Sequence, residues 1–219
     1  MANDRIEGTH PIDITQSIQI TQRNLLVVEG VDDQLFFCRF AQHIQAHDIQ
    51  IMPIGGKTKL RGNLKLLKLS PNFDNVTSLC IVRDANDNPT AAFRSVCAAL
   101  KNVNLPAPQR ARLPTNSTPH VTVIILPNET ESGMLEDLCL RAVASDPAMP
   151  CVARYFQCLQ QEGHNLPRNL SKAKIHAFLA SRPDPEKRLG QAAQANYWPL
   201  DHEAFSQLRD SLQIALSHS

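Results

Sequence analysis

Residues 25–33 read LLVVEGVDD, and the fold turns on this stretch. Its unbroken aliphatic run, 25–28, suits a strand buried on both faces, as in a parallel sheet. The run stops at Glu29 and Gly30. Asp32 can then cap a helix whose apolar residues Leu35, Phe36, Phe40 and Ile44 recur at helical spacing.

The same unit repeats downstream. Residues 49–54 alternate as a second strand, Gly55-Gly56 breaks it, and Leu60, Leu64 and Leu67 line one face of a following helix. A third strand over 76–82 ends in RDAND, 83–87. Pro89 suits the first turn of the next helix, whose buried face is Phe93, Val96, Cys97 and Leu100. Residues 104–119, with four prolines, read as a surface loop before a fourth buried strand at 121–126 and a helix at 134–143. The order β-α-β-α-β-α-β-α predicts an α/β fold with a mainly parallel four-stranded sheet flanked by helices. Beyond Pro147 the pattern predicts helices at 149–161, 171–181 and 203–216. Trp198 and Tyr197 are expected to pack this part onto the rest. The expected organisation is an N-terminal arm, 1–23, an α/β core, 24–146, and a C-terminal helical annex, 147–219. Within the arm, the alternation at 12–14 and 18–20 allows a short edge strand.

Twenty-two Lys and Arg against 21 Asp and Glu leave a net charge of +1, so no global field marks nucleic acid or membrane as partner. The six cysteines form no C-x-x-C pair, several lie in apolar periodic segments, and no signal peptide precedes them. That usage predicts reduced thiols in a cytoplasmic protein. No apolar run approaches the length of a membrane span.

Chemistry is expected where parallel strands end, because sites in such sheets form outside the carboxyl ends of the strands. Glu29 follows the first strand, Asp84 the third, and acids at 129–137 the fourth. Converging carboxylates repel one another unless a cation neutralises them or their pKa values rise. All-oxygen ligation without histidine favours Mg²⁺ or Mn²⁺. Each acid also has a plainer reading. Asp33, on the first helical turn, suits either role; Asn86 and Asp87 equally suit turn positions. Glu136 and Asp137 stand where a helix dipole favours acids anyway, and Glu129 and Glu131 read as solvated.

Taken in order, these clusters resemble the Toprim (topoisomerase–primase) domain, in which a glutamate follows the first strand, an acidic D-x-D a later one, and a further acid lies beyond. Glu29, Asp84 with Asn86, and Glu136 match that pattern. The spacing of Glu29 to Asp33 and of Gly133 to Glu136 is similar to the OLD-nuclease branch and to small stand-alone Toprim-like proteins. The similarity covers about residues 24–145. It implies a Toprim-like, Rossmann-like core, Mg²⁺ (or Mn²⁺) held by Glu29, Asp33, Asp84, Asn86 or Asp87 and Glu136, and phosphodiester chemistry on DNA or RNA. One departure stands out: Asn86 occupies the place of the second aspartate, which weakens a metal site and favours a module that binds without turnover. OLD proteins also place a lysine after the acidic core, for which Lys174 is the counterpart in stabilising transition-state charge, although a solvent-facing helix lysine is the simpler account. They carry an ATPase beside the Toprim domain. This chain has none, so the resemblance implies a separate ATPase partner, as in a subunit of a defence-type complex.

Other motifs exclude more than they suggest. GGKT at 55–58 lacks the first glycine of a Walker loop, since Ile51 stands there. Gly55, Gly56, Lys57 and Lys59 nevertheless lie after a strand end, where they can hold phosphate. Lys65 and Lys68 read as a solvated helix face. No H-E-x-x-H or G-x-S-x-G supports a zinc protease or an acyl hydrolase. His43 and His47 read as favourable charge at a helix C-terminus.

Overall fold

A computed structural model describes residues 18–56 and 58–217. Strands β1 (Asn24–Val28), β2 (Ile49–Pro53), β3 (Ser78–Asp84) and β4 (His120–Leu126) form one sheet in the order β2-β1-β3-β4, with every pairing parallel. The register sets Leu26 between Ile51 and Cys80, and Asp84 beside Leu126. Helices α1 (Val31–His43), α2 (Leu60–Lys68), α3 (Pro89–Asn102) and α4 (Leu135–Ala142) alternate with the strands, so the α/β reading of the sequence holds. This is a Rossmann-like layered fold. The chain leaves β1 toward β2 on one side and returns to β3 on the other, so a crevice opens at the carboxyl ends of β1 and β3.

Successive strand residues face opposite sides, which divides the core in two. Leu26, Val28, Ile51, Cys80, Val82 and Ile124 pack with α1 and α4. Leu25, Val27, Leu79, Ile81 and Val123 pack with α2 and α3, and Ile18 and Ile20 join them. All four strands are buried almost throughout, which is why β1, β3 and β4 read as largely aliphatic runs; β2 alternates in sequence yet is buried too, its Gln50 hydrogen-bonded to the chain at Gln19 and Thr21.

The C-terminal third supplies α5 (Met149–Gln161), α6 (Leu170–Leu179), α7 (Leu189–Gln194) and α8 (Ser206–Leu216), the last after a 3₁₀ turn at Glu203–Phe205. They share the apolar core of α1 and α4. Phe205 lies 5.8 Å from both Phe36 and Phe40, Trp198 stacks on Phe178 at 5.5 Å, and its indole N–H donates to the Leu189 carbonyl. His43, the last residue of α1, pairs with Asp201 at 3.0 Å. Among the described residues no helix is long and apolar enough to cross a membrane.

Several expectations need correction. Residues 18–20 form no strand; Ile18 and Ile20 are buried in extended chain that Gln50 and Asn72 tie down by accepting and donating hydrogen bonds. The segment 12–14 lies outside the described residues. Helix α7 is an addition to the sequence reading, because LGQAAQ is short and carries almost no amphipathic signal. Asp32 does not cap α1: Gly30 holds the N-cap position, and Asp32 Oδ1 instead accepts the Gly190 N–H at 3.0 Å, in the first turn of α7.

Gly190 is where α7 presses onto α1. A Cβ there would stand 2.1 Å from the Asp32 carbonyl oxygen and 2.8 Å from Leu35 Cβ. Gly190→Ala is therefore expected to cost about 1–3 kcal/mol in urea unfolding, as overpacked sites do. Gly62→Ala, in an exposed turn of α2 with nothing within 4 Å, should gain up to about 1 kcal/mol. A Gly190→Ala protein as stable as the wild type would disprove the close α1–α7 contact.

Candidate metal centre

The site is built from two similar strand-to-helix turns. After β1, Gly30 N–H donates to Asp33 Oδ2 at 2.8 Å, so the acid at the third helical position closes the start of α1. After β4, Met134 N–H donates to Asp137 Oδ2 at 2.8 Å in the same way, and Ser171 Oγ holds the other oxygen of Asp137. Each exposed N-terminus thereby gains an acceptor. Asp137 is thus committed to its helix, which leaves Glu136 as the acid of α4 that faces the crevice. Gly133 permits this closure: at φ +136°, a Cβ would meet Asp137 Oδ2 at 2.7 Å.

Asp84 is the last residue of β3, one position earlier than a turn residue. Its Oδ1 accepts the Leu135 N–H at 3.1 Å, at the first turn of α4. The loops meet because Asn86 and Gly133 exchange backbone hydrogen bonds of 2.8 and 2.7 Å as an isolated bridge. Asn86 sits at φ 50°, a left-handed conformation that asparagine tolerates, and its side-chain amide donates to the Asp84 carbonyl oxygen at 3.3 Å. Its side chain is spent locally, and Asp87 is exposed beside it.

Charge repulsion runs across this edge. Burial, then the Glu136, Glu29 and Asp32 carboxylates, push Asp33 up to about 7. Burial pushes Asp84 well above the ordinary range, with Asp33, Glu136 and Glu29 adding to it. Glu136 is raised by burial and partly relieved by Lys172, 3.6 Å away. Glu29 is held by Arg83 at 2.9 Å, an arginine only 8% exposed. The structure therefore brings Glu29, Asp33, Asp84 and Glu136 within each other's field, and leaves Asn86 and Asp87 outside that group. Among the described residues no group of three or more His, Cys, Asp or Glu side chains is arranged to hold a metal ion. Glu29 is turned to Arg83 and Glu136 to Lys172.

Two cations at this edge escape the sequence reading. Arg83 is a charged residue inside a buried strand, a signal visible in CIVRD. Lys172 lies at the third position of α6, whose start Asn169 caps by accepting its N–H. The lysine beside the acids is Lys172; Lys174 forms no ion pair with a described residue. Gly55 and Gly56 adopt φ 76° and 93°, Gly56 N–H donates to the Glu29 carbonyl, and the Lys59 side chain folds over Gly55. Lys57 lies outside the described residues. Glu129 pairs with Arg112 and Glu131 with Arg141.

The raised Asp33 fixes a pH dependence. A carboxyl that is harder to ionise folded than unfolded binds more protons in the native state, so stability is full below the unfolded value near 3.8 and falls as pH climbs toward 7. In metal-free buffer Asp33→Asn, which keeps an acceptor for Gly30, is expected to gain about 1–2 kcal/mol at pH 8 and nothing at pH 4. Urea unfolding at the two pH values checks this; an equal effect at both would contradict it.

No curated protein and no solved structure matches the chain. A family model described as "Protein of unknown function (DUF3226)" matches residues 23–216, from the residue before β1 to the last residue of α8. Because that match spans the whole sheet and every helix described above, the chain belongs to the DUF3226 family.

Proposed function

We propose that the protein is a Mg²⁺- or Mn²⁺-dependent, Toprim-like phosphodiesterase acting on nucleic acid. One observation carries the reading: Glu29 and Glu136 stand close enough to the buried Asp33 and Asp84, at the carboxyl ends of β1 and β3, to add to the rise in the pKa of both. Acids so placed reduce stability as they ionise, and a divalent cation removes that cost. The donor set is all oxygen, which suits a hard cation. Glu29, Asp84 and Glu136 would be the principal ligands, with Asp33 assisting. When bound, the ion supplies charge for a phosphoryl oxygen and an activated water.

The chain's own groups have distinct tasks. Arg83 holds Glu29 at the strand end, and Asp84 is oriented by the Leu135 N–H. To hold an ion, Glu29 would rotate away from Arg83 and Glu136 away from Lys172, because among the described residues no three acids share a cation site. Lys172 is then available to a substrate phosphate, the role the resemblance assigned to Lys174. Gly55, Gly56 and Lys59 stand beside Glu29; the Gly56 N–H is taken by the Glu29 carbonyl, and the Lys59 ammonium folded over Gly55 can steady a second phosphate.

A second reading rests on Asn86. Its side chain serves its own turn and brings no charge to the acids. With that position uncharged, the fold supports a module that binds metal and nucleic acid without turnover, as a subunit working with a separate ATPase.

Titration calorimetry with Mg²⁺ and Mn²⁺ tests the first step. Wild type is expected to bind, and Glu29→Gln and Asp84→Asn to weaken binding more than about tenfold. Nuclease assays with Mn²⁺ then separate the two readings: cleavage lost more than about a hundredfold in Asp84→Asn supports the enzyme, and metal binding with no cleavage supports the module. A wild type that binds neither ion sinks both.

A further inference from the structure

The net charge of +1 hides a strong polarity. Between residues 54 and 119 stand ten Lys and Arg and only three Asp or Glu, namely Asp74, Asp84 and Asp87. Outside β3 and the turns beside it, the described part of this stretch builds α2, α3 and the chain that follows α3, whose apolar residues share the core on one face of the sheet. Ion pairs cover the other parts of the molecule: Asp146 with Arg182, Glu131 with Arg141, Glu136 with Lys172 and Asp184 with Lys187. On the α2/α3 face, Arg61, Lys65, Arg94, Lys101 and Arg110 are exposed and form no ion pair with any described residue. Lys68 is different, since its ammonium is held by the Val103 and Asn104 carbonyls.

Between α3 and residues 105–109 the face opens into a groove of about 470 Å³. Phe93, Arg94, Lys101 and Gln109 line it, and the Cys97 thiol reaches across to the Pro108 carbonyl at 3.7 Å. Arg94 and Lys101 are seven residues apart, so they share one side of α3 about 10 Å apart along its axis. Arg61 and Lys65 are paired in the same way on α2, one turn apart. Both helices begin at the sheet edge that carries Glu29 and Asp84, so the cations trail away from the acids. Like charges gathered without counter-charges repel one another, and an external anion that neutralises them relieves that repulsion.

We propose that this face is a docking surface for a single nucleic-acid strand, with its phosphates on Arg61, Lys65, Arg94 and Lys101 and a base against Phe93 in the α3 groove. A cationic groove lined with an aromatic side chain is how proteins bind single strands without reading sequence. The identity of the polyanion rests on the nucleic-acid reading of the acidic edge. The surface lies outside that edge and does not use its residues.

Fluorescence anisotropy with labelled oligothymidylate and oligouridylate, in buffer containing a chelator, tests this without metal or cleavage. Wild type is expected to bind. Arg94→Glu with Lys101→Glu should weaken binding at least about tenfold and reduce the salt slope by about 1.4, because two phosphates of the strand are no longer neutralised. Arg154→Glu with Arg168→Glu, on exposed positions of the opposite part of the molecule, should change nothing. Far-ultraviolet dichroism confirms that each variant is folded. Absence of wild-type binding overturns the proposal, as does binding that survives the α3 reversal. Retention on phosphatidylserine vesicles without oligonucleotide binding also overturns it, in favour of a membrane surface. Wild type that binds the strand in chelator but neither Mg²⁺ nor Mn²⁺ in calorimetry would remove the reading of the acids and leave this surface standing.

Discussion

The two backbone hydrogen bonds between Asn86 and Gly133 hold the acidic edge together. A parallel sheet delivers all of its strand ends to one side, but it does not bring their loops into contact. Here the loop after β3 is fastened to the loop after β4, which delivers the first N–H of α4 to Asp84 and carries Glu136 into the same space. Both partners have the conformational freedom this needs: Asn86 at φ 50° and Gly133 at φ 136°. A β-branched residue at either position would be strained, and the turn would move.

This explains why asparagine suits position 86. An aspartate at 86 would add a further charge next to Asp84, whose carboxyl is already pushed up by burial and three neighbours. Asparagine keeps the left-handed turn and the hydrogen bond to the Asp84 carbonyl while adding no charge. Two internal cations act in the same direction. Arg83 neutralises Glu29 from within the sheet, and Lys172 approaches Glu136 from α6. The C-terminal helices therefore do more than cover apolar surface, since α6 brings a counter-charge to the site and the first turn of α7 is held by Asp32.

The layered fold was legible because its signal is physical and local. Strands buried on both faces must be aliphatic throughout, and LLVV, CIV and VTVII say so with little ambiguity. The acids at strand ends were legible for a related reason, as a charge directly after such a run has few places to go. What stayed hidden depends on contacts distant in sequence. Nothing near Asp32 announces that it caps a helix 158 residues later, and α7 is too short to show a period. Lys172 and Lys174 differ only in which side of α6 they occupy, a choice fixed by how that helix packs on α4.

Charge composition misled for a similar reason. A sum over the chain reports +1, while the halves it averages occupy opposite sides of one sheet. The βαβ topology does the sorting: helices between neighbouring strands fall on one face or the other according to the direction of the crossover, so a basic segment containing α2 and α3 becomes a basic face. By strand alternation, Arg83 lies on the same side as Leu79, and Glu29 is paired with it, whereas Asp84 turns toward α1 and α4 with Val82. The edge of the sheet is thus the line where the cationic face and the acidic crevice meet, with the Glu29–Arg83 pair lying across it. A phosphate drawn along the first would arrive at the second, and the pair standing at that boundary is the one it would have to open.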